Sequence, residues 1–110
     1  GTAGVAVTGA NLKIATTGHG LQIKGGAATD FVGSGTLTLG TVTISNTNIA
    51  TGDLIFLQRI SAGISTTLGE LSYTISNGAS FTVTSLILGT PASPQTADVS
   101  TFAYQIIRPL

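Results

Sequence analysis

Apolar residues in this chain alternate with Ser and Thr over short runs. Nowhere do they recur at helical spacing: no stretch of a dozen residues places them at i, i+3, i+4 and i+7 without an intervening Gly. Residues 4–8 form a short apolar segment. In residues 12–16 (LKIAT), Leu12 and Ile14 share one side, and residues 21–24 (LQIK) alternate in the same way. The intervening Thr17-Gly18-His19-Gly20 has the composition of a turn, so the two runs predict a first hairpin. Residues 27–34 read as a small-residue loop carrying Asp30 and Phe31. In GTLTLGTVTIS (35–45), Leu37 and Leu39 have one parity and Val42 and Ile44 the other. The switch falls at Gly40, which marks either a β-bulge or the gap between two short strands. Residues 46–53 are a polar turn, 54–60 a strand, and 61–69 a loop. Leu71, Tyr73 and Ile75, then Asn77-Gly78, then Phe81, Val83 and Ser85 predict a hairpin over about 70–87 with a two-residue turn. Residues 89–98 hold Pro91 and Pro94 and read as loop; residues 99–108 are the last strand. The expected fold is all-β, with about eight antiparallel strands in a two-sheet jelly-roll-like sandwich. Residues 1–110 form one domain on this reading, and 1–10 are an N-terminal arm or a junction to an upstream or partner element.

One stretch breaks the alternation. In GDLIFLQRI (52–60), Leu54 and Phe56 point to one side and Ile55 and Leu57 to the other, so both faces are apolar. The last strand adds Ile107 opposite Phe102, Tyr104 and Ile106, and Leu86, Ile87 and Leu88 run together. A thin sandwich has too little interior for all of these. Either loops cover the surplus or identical copies do. Burying one such side chain is worth roughly 1.5–3 kcal/mol. On the second reading Ile55, Leu57 and Ile107 lie at an oligomer interface, and Leu57→Asp abolishes assembly while Thr74→Asp does not.

Charge sharpens this picture. Formal net charge is zero and charged residues make up 7%, against about a quarter in an ordinary domain. Four basic and four acidic residues are scattered along the chain, with no basic stripe for nucleic acid. There is no Cys, hence no disulfide, and no apolar run long enough to span a membrane. The chain opens GTAGVAV without Met, which reads as a fragment, a processed product or an incompletely read chain.

Reaction chemistry finds little support. His19 is the only histidine and stands between two glycines in a turn. With it, Asp30, Asp53, Glu70 and Asp98 are too scattered to converge on a metal, and each carboxylate reads as a turn or capping residue. No G-x-S-x-G is present, and the Gly clusters precede no helix that would cradle phosphate. No catalytic residue, metal ligand or cofactor is expected. Asp30 and Phe31, an acid beside an aromatic in a Gly-rich loop, are the best pair for a surface ligand such as a sugar; the alternative is that Phe31 packs into the core.

LKIATTGHGLQIKGGA, GTLTLGTVTISNTNIATGDLIFLQ, GASFTVTS and DVSTFAYQIIRP together resemble a small β module at or near the C-terminus of tailed-phage tail spikes and tail fibres. The pattern there is LKIATTGxGLxIKxG, GTVTVxNTxVTAxSxIFLT, GTSFTITS and TSTVxWxIxEP, and the likeness spans residues 12–109. The chain departs from it in three places. Phe102 and Tyr104 stand where Val and Trp are usual, Arg108 replaces an acidic residue before Pro109, and Gly52-Asp53-Leu54 replaces a Ser-Arg type segment. The resemblance implies a virion protein and a homotrimeric, non-enzymatic module that locks a tail spike or fibre. Its partners would be other virion proteins and, at an outer surface, a host glycan. Two other functions fit the residues: a trimeric capsid decoration protein, and a carbohydrate-binding β-sandwich acting alone.

Overall fold

The computed structural model describes residues 4–110, which contain seven strands and no helix. They are β1 (Val32–Thr36), β2 (Thr41–Ser45), β3 (Leu54–Ser61), β4 (Glu70–Ser76), β5 (Ser80–Ile87), β6 (Ser93–Pro94) and β7 (Thr101–Ile107). All pairings are antiparallel. One sheet has the order β1-β7-β3, the other β2-β5-β4 with β6 added against β5.

The core lies between the sheets. Phe102, Tyr104 and Ile106 of β7 and Ile55 of β3 meet Phe81 and Val83 of β5, closed by Leu37 and Ile49 from connections. The Phe81 and Tyr104 rings meet edge to face, centroids 4.9 Å apart, which joins the sheets at their centre. The β4–β5 hairpin stands where the alternation puts it, with Leu71, Tyr73 and Ile75 inward. Its connection is one residue longer than expected: Ser76 pairs with Ser80, leaving Asn77, Gly78 and Ala79 in the loop.

One open reading is decided and two expectations change. First, of the two readings of the parity switch at Gly40, the gap between two short strands holds and the bulge does not, and the gap is also a change of sheet. Leu39 and Gly40 have φ of 51° and 80°, the geometry of a primed two-residue turn, and Thr38 and Thr41 bond to each other across it. Leu37 is therefore buried and Leu39 exposed, although they share parity. Second, the last three residues of the supposed 27–34 loop are strand. Gly35 faces inward at β1, and a Cβ there would lie 2.7 Å from the Phe102 ring, so the aromatic fills the space a side chain would take. Third, the leading hairpin is absent. Residues 12–16 and 21–24 form no ladder; only the turn survives, as the His19 amide bonded to the Thr16 carbonyl at 3.2 Å. Residues 4–24 are exposed throughout. Of the expected 1–10 arm, residues 1–3 lie outside the described residues.

Candidate functional site

Strand β3 decides which apolar residues are free. Its register with β7 sets Ile55 beside Ile106 and Leu57 beside Tyr104, both on the core side. Ile55 is 6% exposed, and Leu57 is half-buried against the same cluster. Two of the three residues expected at an oligomer interface thus pack inside their own subunit. Ile107 does face outward, at the end of β7. The outward set on β3 is Leu54, Phe56, Gln58 and Ile60, with Phe56 56% and Ile60 61% exposed. Leu54 lies beside Ile107, and Phe56 beside Gln105, whose other neighbour is Val32. Ile60 occupies a register shift between Arg59 and Ser61.

The inward side of β3 carries a charge instead. Arg59 donates from Nη2 to Asp98 Oδ2 at 2.6 Å and to the Gly69 carbonyl at 3.0 Å, and from Nε to the Ser100 hydroxyl at 2.9 Å. Asp98 is fully buried. It also accepts from the Ser85 hydroxyl at 2.5 Å, the Gly69 and Ser100 amides at 3.2 and 3.1 Å, and the Ser100 hydroxyl. Burial by itself would raise the Asp98 carboxyl. The Ser100 and Ser85 hydroxyls and the two amides outweigh it and hold the group far below the usual carboxylate range. The cluster pins β3, β5 and the segment before β7 together.

A second pair closes the other end. Arg108 grips Asp53 with two bonds of 2.8 Å, from Nε to Oδ1 and from Nη2 to Oδ2, and also donates to the Asn48 carbonyl. The Arg108 bond lowers the Asp53 carboxyl below its ordinary value against the opposing effect of burial, and the Ala50 amide assists. The Arg108 guanidinium lies 5.3 Å from the Phe31 ring centroid.

Residues 1–107 match the profile of a family described as the K1 capsule-specific polysaccharide lyase, C-terminal domain. The chain belongs to this family. The family's description, the C-terminal domain of a capsule-specific polysaccharide lyase, is consistent with a tail spike module. No curated protein and no solved structure matches the chain.

Within this K1-lyase C-terminal domain the remaining candidates fall into place. Asp30 Oδ2 accepts from the Ala27 amide at 2.9 Å and from Lys24 Nζ at 3.1 Å, and these two bonds, in that order, lower its carboxyl. It closes a turn. Phe31 is half-buried against the core. Asp30 thus caps a loop, while Phe31 supports Arg108. His19 is exposed in its turn. Among the described residues, no three His, Cys, Asp or Glu side chains gather as a metal site. The two Arg–Asp pairs are what the sequence reading missed. Arg59 and Asp98 are 39 positions apart and no local motif links them. Asp53 and Arg108 had a signal: each stands where the chain departs from the tail-spike pattern, and the two departures meet as one ion pair.

Proposed function

We propose that this chain is a non-enzymatic assembly module at the C-terminal end of a phage tail spike, and that it forms a homotrimer. The spike's other part would act on a capsular polysaccharide, as the family's description suggests, while this module holds three copies together. The observation that carries the reading is the outward apolar group Leu54, Phe56, Ile60 and Ile107 in a chain of this family. Exposed apolar clusters of this kind are rare on soluble monomers and common at interfaces. Low charge supports the same reading, since charge is depleted where interfaces are buried. A non-enzymatic role is supported by the use of the carboxylates: Asp30, Asp53 and Asp98 each serve a turn or an ion pair. The other sheet turns hydroxyls outward, which leaves a polar surface for host contact.

Light scattering of the full chain at micromolar concentration tests the reading. The expected mass is three times the 11.0 kDa of one chain. A monomer would overturn it. Incubation of the same preparation with capsular polysaccharide is expected to leave chain length unchanged; depolymerisation would make the module an enzyme. Imaging of labelled virions is expected to place it on the tail, and label over the capsid would turn the assignment to decoration.

A further inference from the structure

Strand β3 is an edge. In the order β1-β7-β3 it pairs on one side only, and along the other side Leu54–Ser61 has no backbone partner among the described residues. An eight-residue edge lined by Leu54, Phe56 and Ile60 is a template for another strand, and soluble proteins normally shorten, charge or cover such edges. This one carries no outward charge, because Arg59 points inward.

The opposite edge holds the complement. At β1 the Gly26 amide bonds to the Val32 carbonyl at 3.2 Å, and from that point the arm leads away. No backbone bond ties residues 4–25 to the sandwich; the Lys24–Asp30 bridge is exposed. Leu12, Ile14, Leu21 and Ile23 remain exposed with the whole surface of their own copy available to them. Lys13 and Lys24 have the opposite parity, so the apolar side of each run carries no charge. The radius of gyration, 16.3 Å, exceeds the roughly 13 Å of a compact chain this long, as an arm standing off the body requires.

We propose that residues 12–24 of one copy add to the β3 edge of the next, with Leu12, Ile14, Leu21 and Ile23 covering Leu54, Phe56 and Ile60. Donor and acceptor lie on opposite edges of one sheet, about 10 Å apart at the strand spacing. The contact is therefore head to tail, the heterologous kind that closes as a ring when the rotation between copies divides a full turn, and affinity comes from main-chain bonds with side chains setting the register. This inference rests on the assembly reading above and adds the element that makes the contact.

A photoreactive phenylalanine analogue at Ile14 tests it in the full chain, refolded from an equal mixture of isotope-labelled and unlabelled copies. The expected product joins the Ile14 peptide to residues 54–61, with mixed-isotope pairs making up about half, as random pairing between copies gives. Same-isotope pairs only, or attachment elsewhere, would overturn it. A second variant combines Leu21→Asp with Ile23→Asp, both at exposed positions. It is expected to keep the melt of the isolated subunit and to weaken association by at least about tenfold per side chain. If that variant assembles like the unaltered trimer, the arm-to-edge contact falls and the assembly reading stands. If the unaltered chain is a monomer, both fall.

Discussion

The two sheets turn unlike faces to water. On β2-β5-β4 the register lines up hydroxyls in rows: Thr43, Thr82 and Thr74 side by side, then Thr41, Thr84 and Ser72. The Thr43 and Thr82 hydroxyls are 3.0 Å apart and those of Thr41 and Thr84 3.3 Å apart. On β1-β7-β3 the outward rows read Leu54 with Ile107, then Val32, Gln105 and Phe56, then Ser34, Ala103 and Gln58, then Thr36, Thr101 and Ser61, so the large apolar residues gather at the Leu54 end of that face. Inside, the two sheets are alike. The difference lies wholly in the outward parity, and it shows what period-two alternation conveys. Where the outward residues are Thr and Ser, alternation both locates the strand and says which side is core. Where both parities are apolar, it locates the strand and nothing more.

The largest expected effect comes from placing one charge on each face. Phe56→Asp is expected to abolish assembly, seen as a shift from trimer to monomer by light scattering, with circular dichroism unchanged. Thr74→Asp, also at an exposed position but on the other face, is expected to leave the trimer intact. Leu57→Asp, the probe that the sequence suggested, is unsuitable, because Leu57 packs on its own core and a charge there attacks the fold. If Phe56→Asp and Thr74→Asp elute alike, the two faces are equivalent in solution and the interface lies elsewhere.

The hairpin β4–β5 and strand β7 were legible because their polar parity is polar or small. In β3 the strand was legible and its orientation was not. Arg59, the one charge in the strand, shares parity with Ile55 and Leu57. A charge would ordinarily mark the solvent side; here it marks the core side, since Asp98 arrives from a distant loop to meet it. Strand β1 (VGSGT) was invisible for a different reason. Two glycines are poor strand formers, and their presence is explained only by the Tyr104 and Phe102 rings lying over them. The LKIAT and LQIK runs were misread in the reverse sense. Strand composition was present, but nothing in the same copy supplies a ladder, and an isolated two-stranded hairpin has little stability in water.

The second prediction separates inside from outside on β3 itself. Ile55→Ala removes side-chain volume from a closed core and is expected to cost about 2–5 kcal/mol of subunit stability. Phe56→Ala, one residue along, is expected to change monomer stability by less than about 0.5 kcal/mol while weakening association. Chemical denaturation at concentrations below the association threshold reads the first effect without the second. A larger loss for Phe56→Ala than for Ile55→Ala under those conditions would reverse the orientation of the strand.

Acid provides a third contrast, because the hydroxyl rows have nothing to titrate. The buried ionic groups are Asp98, with Arg59, and Asp53, with Arg108. Both carboxyls have folded values below the unfolded value of about 3.9, so the unfolded chain takes up protons first as pH falls. Their stabilisation is fully present above about pH 5, and is lost as pH falls from there through the depressed folded values. The denaturant midpoint is expected to be flat between about pH 8 and pH 5 and to drop below about pH 4. Asp53→Asn is expected to lower the plateau and reduce the slope of the acid limb. A midpoint that instead falls on the alkaline side of neutrality would show that other groups govern stability.

The smallest effect tests whether the hydroxyl rows hold the second sheet together or merely cover it. Thr82 lies in the central strand β5, between Thr43 and Thr74, and shares a hydrogen bond with Thr43. Thr82→Val keeps the β-branched shape and removes that bond. Cross-strand pairs of this kind are worth roughly 0.2–1 kcal/mol, and Val regains part of it through strand preference and packing. The expected change in stability is therefore within about 0.5 kcal/mol, with assembly unaltered. Its main consequence is one apolar residue at the centre of an otherwise hydroxyl-lined face. If the rows exist to keep this face from pairing with other copies, Thr43→Val combined with Thr82→Val should produce species larger than the trimer at high concentration, although the subunit is barely changed. Sedimentation velocity across a concentration series distinguishes that outcome from an inert surface, for which the trimer alone persists.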